Sequence, residues 1–544
     1  MSSSWSDPIL TSADAKALEA RLFGGDEERE WVAMQRAGAA VGRAVLTDFE
    51  EIGGFPAGGR VLVLAGKGHN GADALLAAAM ILETHHAASA DVVFAFGERT
   101  LRPLASRAWR QLLEAAPQRV RSLDRIRPTG GARPCLRPSV AESASEWPLY
   151  DLCLDGIFGF QFHPPVESAT ANVLRVVNGH RGIRLRAAVD LPSGVGEEAG
   201  EIAFRADFTY ATGSVKAPLL DPRNRETSGR LRYLDLRFFD PTPVGSPLAG
   251  DASVPSRASA LPTDFVLKSS VLSPLAGFRA PQSDKRAFGH LFIIGGSRSY
   301  PGAVLMCARA ALRSGVGLVT AFVPESLVPA FAASAPEAIW VGWPETPQGG
   351  LALAGLSLLR ARLERATALV VGPGLGSEGE SLALAGEIVK SASVPVALDA
   401  DALQPSILAA AQGKRMICLP HAGEFQRLAG GREATPAVSR AVARETGATI
   451  VLKGPVTRIT DGDRVHHSFF GGPVLARGGS GDLLAGLVGG LLAQAPDDLQ
   501  VAACRGVVWH GLAADLLARD RGQVAVQVTQ LLDYLPAALR EAAR

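Results

Sequence analysis

Along residues 474–494, VLARGGSGDLLAGLVGGLLAQ, apolar side chains recur with a helical period. Leu483, Leu487 and Leu491 fall four residues apart, with Leu484, Val488 and Leu492 beside them, so the spacing predicts a buried helix. The run from Leu483 to Ala493 is too short to cross a bilayer. Asp482 falls in or just before the first turn, with Gly478, Gly479 and Gly481 in the approach. Glycines let successive backbone N–H groups converge on an anion, and the free N–H groups of a helix start add to that attraction. A carboxylate in that place repels phosphate. It suits a base aimed at a hydroxyl beside the phosphate, or a metal contact, or an ordinary N-cap.

A second pattern repeats along the chain: a short apolar run, a glycine-rich turn, then a helical period. Residues 12–46 read as helical, and RVLVLAGKGHNGADALLAAAMIL (60–82) then gives a strand from Val61 to Leu64, a turn and a helix. YDLCLDGIFGFQF (150–162) and IRLRAAVDLPSGV (183–195) end apolar segments on Asp155 and Asp190. In an open α/β sheet the C-terminal strand ends face one crevice, where ligands bind. Asn70, Asp155 and Ser193 are placed to meet there as oxygen ligands of a hard cation, leaving Asp190 to handle a hydroxyl or proton. Loop capping is the alternative for both aspartates.

The later half repeats the order. GHLFIIGGSRSYPGAVLMCARAALRSGVGLVTAFVPE (289–325) gives strand, turn, helix and a strand from Gly317 to Val323. ALVVGPGLG ends in a glycine nest, VPVALDADAL on Asp399 and Asp401, and MICLPHAGEF on His421, Gly423 and Glu424. TIVLKGPVTRITDGDRVH carries Lys453 and Thr457, where a single cation beside Gly454 suits a nucleotide phosphate. His510 falls on a terminal helix and receives no role.

A length of 544 residues exceeds one core and predicts two domains. Residues 241–263, rich in Pro, Ser, Ala and Gly, have no period and read as a linker between 1–240 and 264–544; 124–148 reads as a polar surface excursion. A formal net charge of +1 supplies no field for nucleic acid or membrane. The five cysteines, Cys135, Cys153, Cys307, Cys418 and Cys504, form no CxxC pair, which fits a reducing compartment. MSSSWSDPIL shows no basic-then-apolar leader, so the expected location is cytoplasmic.

The later half resembles the ADP/ATP-dependent NAD(P)H-hydrate dehydratases through IIGGSRSYPGA, VVGPGLG, LDADAL, PHAGEF, VLKGPVT and GGSGDLLAG. The earlier half resembles the NAD(P)H-hydrate epimerases through AMQRAG, AGKGHNGADA, LDGIFG and VDLPSG. Joined in this order they resemble the bifunctional nicotinamide nucleotide repair proteins of bacteria. The resemblance implies an α/β chain, Rossmann-like first and ribokinase-like second, with hydrated NADH or NADPH as small-molecule substrate. It implies ADP or ATP, Mg²⁺ and K⁺ as cofactors, and a homo-oligomer is expected. Asp482 matches the catalytic aspartate. Ala303, Gly376 and His421 match the residues lining the hydrate, and Lys453, Gly454, Pro455, Val456, Thr457 and Gly481 the nucleotide site.

In the earlier half, Asn70, Asp155 and Ser193 match the potassium ligands. His69, Asn70, Gly71, Ala72 and Asp73 match one hydrate-binding segment; Gly159, Phe160, Gln161, Phe162, His163, Pro164 and Pro165 match another. Asp190 matches the contact to the reacting end of the hydrate. This half departs from the family pattern. GHNGADA stands where GNNGGDG is usual, Gly159-Phe160-Gln161 stands for GTG, and Gln35 replaces an acid. A methyl group at Ala72 is expected to exclude positive φ and to crowd a phosphate. In the later half only Leu419, in place of a threonine, departs near His421. A ribokinase-like kinase of a small alcohol, a dehydratase with an inactive epimerase-like half, and a nucleotide-sensing scaffold without turnover remain as rival readings.

Overall fold

The computed structural model describes residues 5–123, 148–198, 200–240 and 262–543. The polar stretch expected at 124–148 lies, apart from Pro148, outside these, as does the expected linker apart from Pro262 and Thr263. Two compact units form: Pro8–Pro262, and Met1–Asp7 with Thr263–Arg544.

The strand that opens the chain, β1 (Ser6–Pro8), belongs to the larger sheet of the second unit. The first unit holds β2 (Arg60–Ala65), β3 (Ser89–Phe94), β4 (Val120–Leu123) and β5 (Tyr150–Gly156). To these it adds β6 (Ile183–Val189), β7 (Phe208–Thr212) and β8 (Arg230–Leu234). They pair in the order β4-β3-β2-β5-β6-β7-β8, all parallel, so the order reverses between β2 and β5. That is the Rossmann-like arrangement with its ligand crevice at the reversal. Its helices are α1 (Ser12–Phe23), α2 (Glu27–Phe49), α3 (His69–Thr84), α4 (Pro103–Ala115), α5 (Ser168–Gly179) and α6 (Arg225–Ser228). Along β2, Val61, Val63 and Ala65 enter one apolar cluster while Leu62 and Leu64 enter the other. A strand buried on both faces needs the continuous apolar run seen in the sequence.

The second unit holds β9 (Asp264–Leu267), β10 (His290–Ile294), β11 (Leu318–Pro324), β12 (Ile339–Trp343) and β13 (Ala368–Val371). Then come β14 (Val396–Leu398), β15 (Met416–Cys418), β16 (Thr449–Leu452), β17 (Thr457–Thr460) and β18 (Val465–Ser468). The sheet runs β1-β9-β18-β17-β16-β15-β14-β13-β10-β11-β12. From β16 to β12 every pairing is parallel; β17 pairs antiparallel with both of its neighbours. The order reverses at β10, between β13 and β11. Helices α7 (Pro301–Arg313), α8 (Val328–Ser334), α9 (Leu356–Arg360), α10 (Gly379–Ser391) and α11 (Pro405–Ala410) accompany the first part. Helices α12 (Ala422–Leu428), α13 (Pro436–Thr446), α14 (Ser480–Gln494), α15 (Leu499–Arg521) and α16 (Leu531–Ala542) complete it. Helix α15 is long and apolar enough to cross a membrane, yet 83% of its most apolar window is buried within the fold, as in a core helix.

Candidate functional site

Helix α14 starts at Ser480 and carries Asp482 in its first turn, as its period requires. The first N–H groups of a helix have no partner within it and point outward. A Cβ on Gly481 would stand 3.3 Å from Lys453 Nζ and 3.9 Å from an Asp399 oxygen, so a side chain there would fill the space before the lysine. Lys453 follows β16. Its N–H donates to the Pro420 carbonyl at 2.8 Å, which ties the loop after β15 to the loop after β16. Its ammonium donates to Asp399 at 2.7 Å and lies 4.0 Å from Glu424. Burial pulls the Lys453 pKa down, but Asp399, Glu424 and Asp482 outweigh it and hold it above the ordinary value. Burial, joined by Asp399, pushes Asp482 up to about 7 against the pull of Lys453.

His421 caps α12. Its Nδ1 accepts from Gly423 N–H at 3.0 Å and Glu424 N–H at 3.3 Å, while the Glu424 carboxylate accepts from His421 N–H at 2.8 Å. With Nδ1 accepting, Nε2 carries the proton and stands exposed, 3.4 Å from Glu424. Leu419 is fully buried in the core, so the departure from threonine leaves this cap intact. At the reversal of the sheet, a Cβ on Gly374 would meet the Tyr300 carbonyl at 2.4 Å and the Ala303 methyl at 3.1 Å. Gly376 keeps φ at 81° and donates its N–H to Asp401 at 3.1 Å. Gly454, Pro455, Val456 and Thr457 run from Lys453 into β17, none of them buried. Asp399 and Glu424, visible in LDADAL and PHAGEF only as strand-end acids, prove to be the partners that fix Lys453.

In the first unit, Asn70, Asp155 and Ser193 come together. Ser193 donates its N–H and its hydroxyl to the two Asp155 oxygens, both at 2.7 Å. Phe158 N–H donates to Ser193 Oγ at 2.9 Å, and Asn70 Nδ2 donates to the Phe158 carbonyl at 2.7 Å. Burial pushes Asp155 up to about 6 in spite of the Ser193 donors. Such a set of oxygens around one buried carboxyl fits a hard monovalent cation. Among the described residues no group of three His, Cys, Asp or Glu is placed to hold a metal ion.

Asp190 lies just past β6 with φ at 65°, a left-handed conformation that a non-glycine residue adopts at a cost. Its carboxylate accepts from the buried Lys216 ammonium at 2.5 Å. Burial, then Asp190 and Glu19, hold Asp73 well above the usual carboxylate range against Lys216. Burial also pushes Glu19 up to about 7, with Lys216 opposing. Neither Lys216 nor Glu19 stood out in the sequence. Lys216 is one cation in an apolar stretch, and Glu19 is one acid on an amphipathic helix.

The expectation for Ala72 is corrected. Helix α3 begins at His69, so residues 69–74 are helical rather than a glycine loop, and no positive φ is needed at Ala72. The methyl groups of Ala72 and Ala74 are buried in the core. Gly71 must stay small, because a Cβ there would lie 2.2 Å from the Gly66 carbonyl oxygen. Phe160 packs with the apolar cluster of α1 that includes Leu18 and Leu22, and its ring lies 5.3 Å from Lys216 Nζ. Phe162 is buried against Phe158, whereas Gln161, His163 and Pro165 are exposed and Pro164 half-buried. His69 is exposed, 3.6 Å from the Glu30 carboxylate.

A family model described as NAD(P)H-hydrate dehydratase matches residues 291–537, and one described as YjeF-related protein N-terminus matches 31–217. A bifunctional NAD(P)H-hydrate repair enzyme of Gloeobacter violaceus is 34% identical, over 97% of this chain and 97% of its own. Another so named, from Thermofilum pendens, is 30% identical over 94% of this chain and 92% of its own. Among solved structures, an ADP/ATP-dependent NAD(P)H-hydrate dehydratase from Bacillus subtilis, co-crystallized with ATP/Mg²⁺, is 29% identical with a TM-score of 0.43. It covers 49% of this chain and 94% of its own.

Proposed function

The chain belongs to the bifunctional NAD(P)H-hydrate repair enzymes, and from that premise we propose which of its residues carry out the repair. It is an enzyme that repairs hydrated NADH and NADPH, by ADP- or ATP-dependent dehydration in the ribokinase-like unit coupled to an epimerase-like Rossmann unit. The carrying observation is the open start of α14, where Gly481 leaves room before Lys453 and Asp482 stands in the first turn.

The S hydrate is the substrate of the second unit. A nucleotide bound there with Mg²⁺ supplies a phosphoryl group that makes the hydroxyl of the hydrate a better leaving group. The residues of the chain prepare that departure. Asp482 takes the hydroxyl proton, Lys453 and the free N–H groups at the start of α14 balance phosphate charge, and His421 Nε2–H donates to the hydrate. Ala303 and Gly376 leave room for the ring, and Gly454, Pro455, Val456 and Thr457 follow the nucleotide. In the first unit, Asn70, Asp155 and Ser193 hold K⁺ through oxygen, and Asp190 contacts the reacting end of the hydrate during R–S interconversion.

The test uses the full chain with S hydrate and ADP or ATP. Asp482→Asn is expected to cut turnover by roughly 10²- to 10⁴-fold while sparing nucleotide binding. Full turnover in that variant would overturn the assignment. ATP consumption with sugars or vitamin precursors, and none with hydrate, would favour a kinase instead.

A further inference from the structure

Glu19 on α1, Asp73 on α3, Asp190 after β6 and Lys216 after β7 form one electrostatic cluster: Asp73 feels Asp190, Glu19 and Lys216, Glu19 feels Lys216 and Asp190, and Lys216 pairs with Asp190. Asp73 is nine-tenths buried, and its Oδ1 is buried without a hydrogen-bond partner. A buried carboxyl oxygen left without a donor is costly, and where one persists it calls for a functional reason. Asp190 keeps its left-handed backbone, and Thr212 Oγ1 lies 3.4 Å from the carboxylate oxygen that Lys216 also contacts. The Lys216 ammonium reaches Asp190 at 2.5 Å and the Thr212 carbonyl at 3.3 Å, so it is fixed between two acceptors. Phe160 covers it from one side at 5.3 Å. Glu30, 3.6 Å from the exposed His69, is a further carboxylate bearing on Glu19.

Resting on the epimerase reading above, we propose that Asp73 and Asp190 are the paired acid and base of epimerisation, with Lys216 positioning Asp190. Burial and the neighbouring carboxylates push the Asp73 carboxyl well above the usual carboxylate range, while the Asp190 carboxylate accepts from the buried Lys216 ammonium at 2.5 Å. One carboxyl with an orphaned buried oxygen and one paired with a buried cation divide the roles of acid and base between them.

The chemistry balances without any redox partner. Water adds to the enamine-like ring of a reduced nicotinamide with its oxygen on the carbon next to the ring nitrogen, so the R and S hydrates differ at a hemiaminal carbon. The nitrogen lone pair forms a C=N bond as the C–O bond breaks, and the departing hydroxyl takes the Asp73 proton to leave as water. A water molecule then adds to the opposite face of that carbon. The new C–O bond returns the C=N electron pair to nitrogen, and the proton of the water passes to Asp190. The half-buried Glu19 exchanges protons with solvent and restores Asp73, while Asp190 gives its proton up. The reverse direction runs the same steps with the carboxyl roles exchanged.

The experiment follows pure R hydrate with the full chain, without ADP or ATP, separating R from S by chromatography. Asp73→Asn is expected to lower kcat by roughly 10²- to 10⁴-fold with little change in KM. Lys216→Met should lower kcat with little change in KM, and Lys216→Arg should restore kcat in part, a split that a merely structural lysine would not produce. Unchanged turnover in Asp73→Asn, with active wild type, would overturn the acid–base assignment and leave the epimerase reading standing. Wild-type conversion no faster than the uncatalysed rate would instead remove the epimerase reading, and this inference with it. A second measurement needs no variant. In ¹⁸O-water the wild type should place ¹⁸O in the hydrate as it inverts, whereas repeated inversion with the original oxygen retained would overturn the proposal.

Discussion

Asp482 sits among groups that pull its proton in opposite directions. Burial and Asp399 favour the acid, Lys453 favours the carboxylate, and the balance lies at about 7. A base must be ionised to accept a proton, so kcat/KM for dehydration is expected to rise with pH through about 7 and then level. Asp399→Asn removes a like charge and leaves Lys453 less neutralised. Both changes favour the Asp482 carboxylate, so the ascending limb should move to lower pH. Profiles of wild type and variant between roughly pH 5 and 9 check this, and a limb that stays or rises would count against the cluster.

At the scale of elements, the three glycines in the interior of α14, Gly486, Gly489 and Gly490, answer to close approach rather than to flexibility. A Cβ on Gly486 would lie 2.1 Å from the Cys307 carbonyl oxygen of α7, one on Gly490 2.0 Å from Ser314 Oγ, and one on Gly489 2.2 Å from Val370 of β13. The helix that carries Asp482 is thus wedged between α7 and the sheet. Gly486→Ala gains up to about 1 kcal/mol of helix propensity. It loses about 1–3 kcal/mol to overpacking against backbone that cannot swing aside, so the net change is destabilising. Gly386→Ala in α10 meets nothing within 4 Å and should instead stabilise, by up to about 1 kcal/mol. Denaturant midpoints of the two variants should move in opposite directions. Dehydratase activity should fall only in Gly486→Ala, because only there does the start of α14 shift.

For the molecule as a whole, the chain changes unit twice, at Asp7/Pro8 and at Pro262/Thr263. Trp5, Ser6 and Asp7 belong with the second unit, where β1 adds an edge strand beside β9. Asp7 pairs there with the buried Lys268 at 3.2 Å, and the Trp5 ring lies 5.0 Å from His466. Removing one partner of a buried pair costs about 3–5 kcal/mol. Asp7→Ala should therefore lower the thermal transition of the second unit while leaving that of the first in place, as calorimetry would read. Proteases are expected to cut first within the proposed linker, 241–263. Because β1 stays in the second sheet, the two pieces should co-migrate on gel filtration until a further cut falls near Pro8. Separate migration after the single cut would show that this strand does not hold.

Periodicity and turn chemistry determined most of the architecture. Apolar runs ending in glycine-rich turns read as buried parallel strands followed by helices, because both faces of such a strand have to be covered, and the run at Thr449–Leu452 leads instead into an antiparallel strand. The same order alone places Asn70, Asp155 and Ser193 at neighbouring strand ends, and Asp482 in the first turn of α14. Pairing across the sheet is another matter. It depends on contacts between residues far apart in the chain, and no local period records them. Lys216 meets Asp190 only because β6 and β7 are neighbours, and Asp399 meets Lys453 only because β14, β15 and β16 stand in sequence order within the sheet. Residues 69–74 looked like a glycine loop because glycine and asparagine signal turns, yet packing of α3 on α2 and the sheet extended the helix through Asn70 and Asp73. The three residues of β1 are too few to show a period, so only the paired edge of the second sheet reveals where they belong.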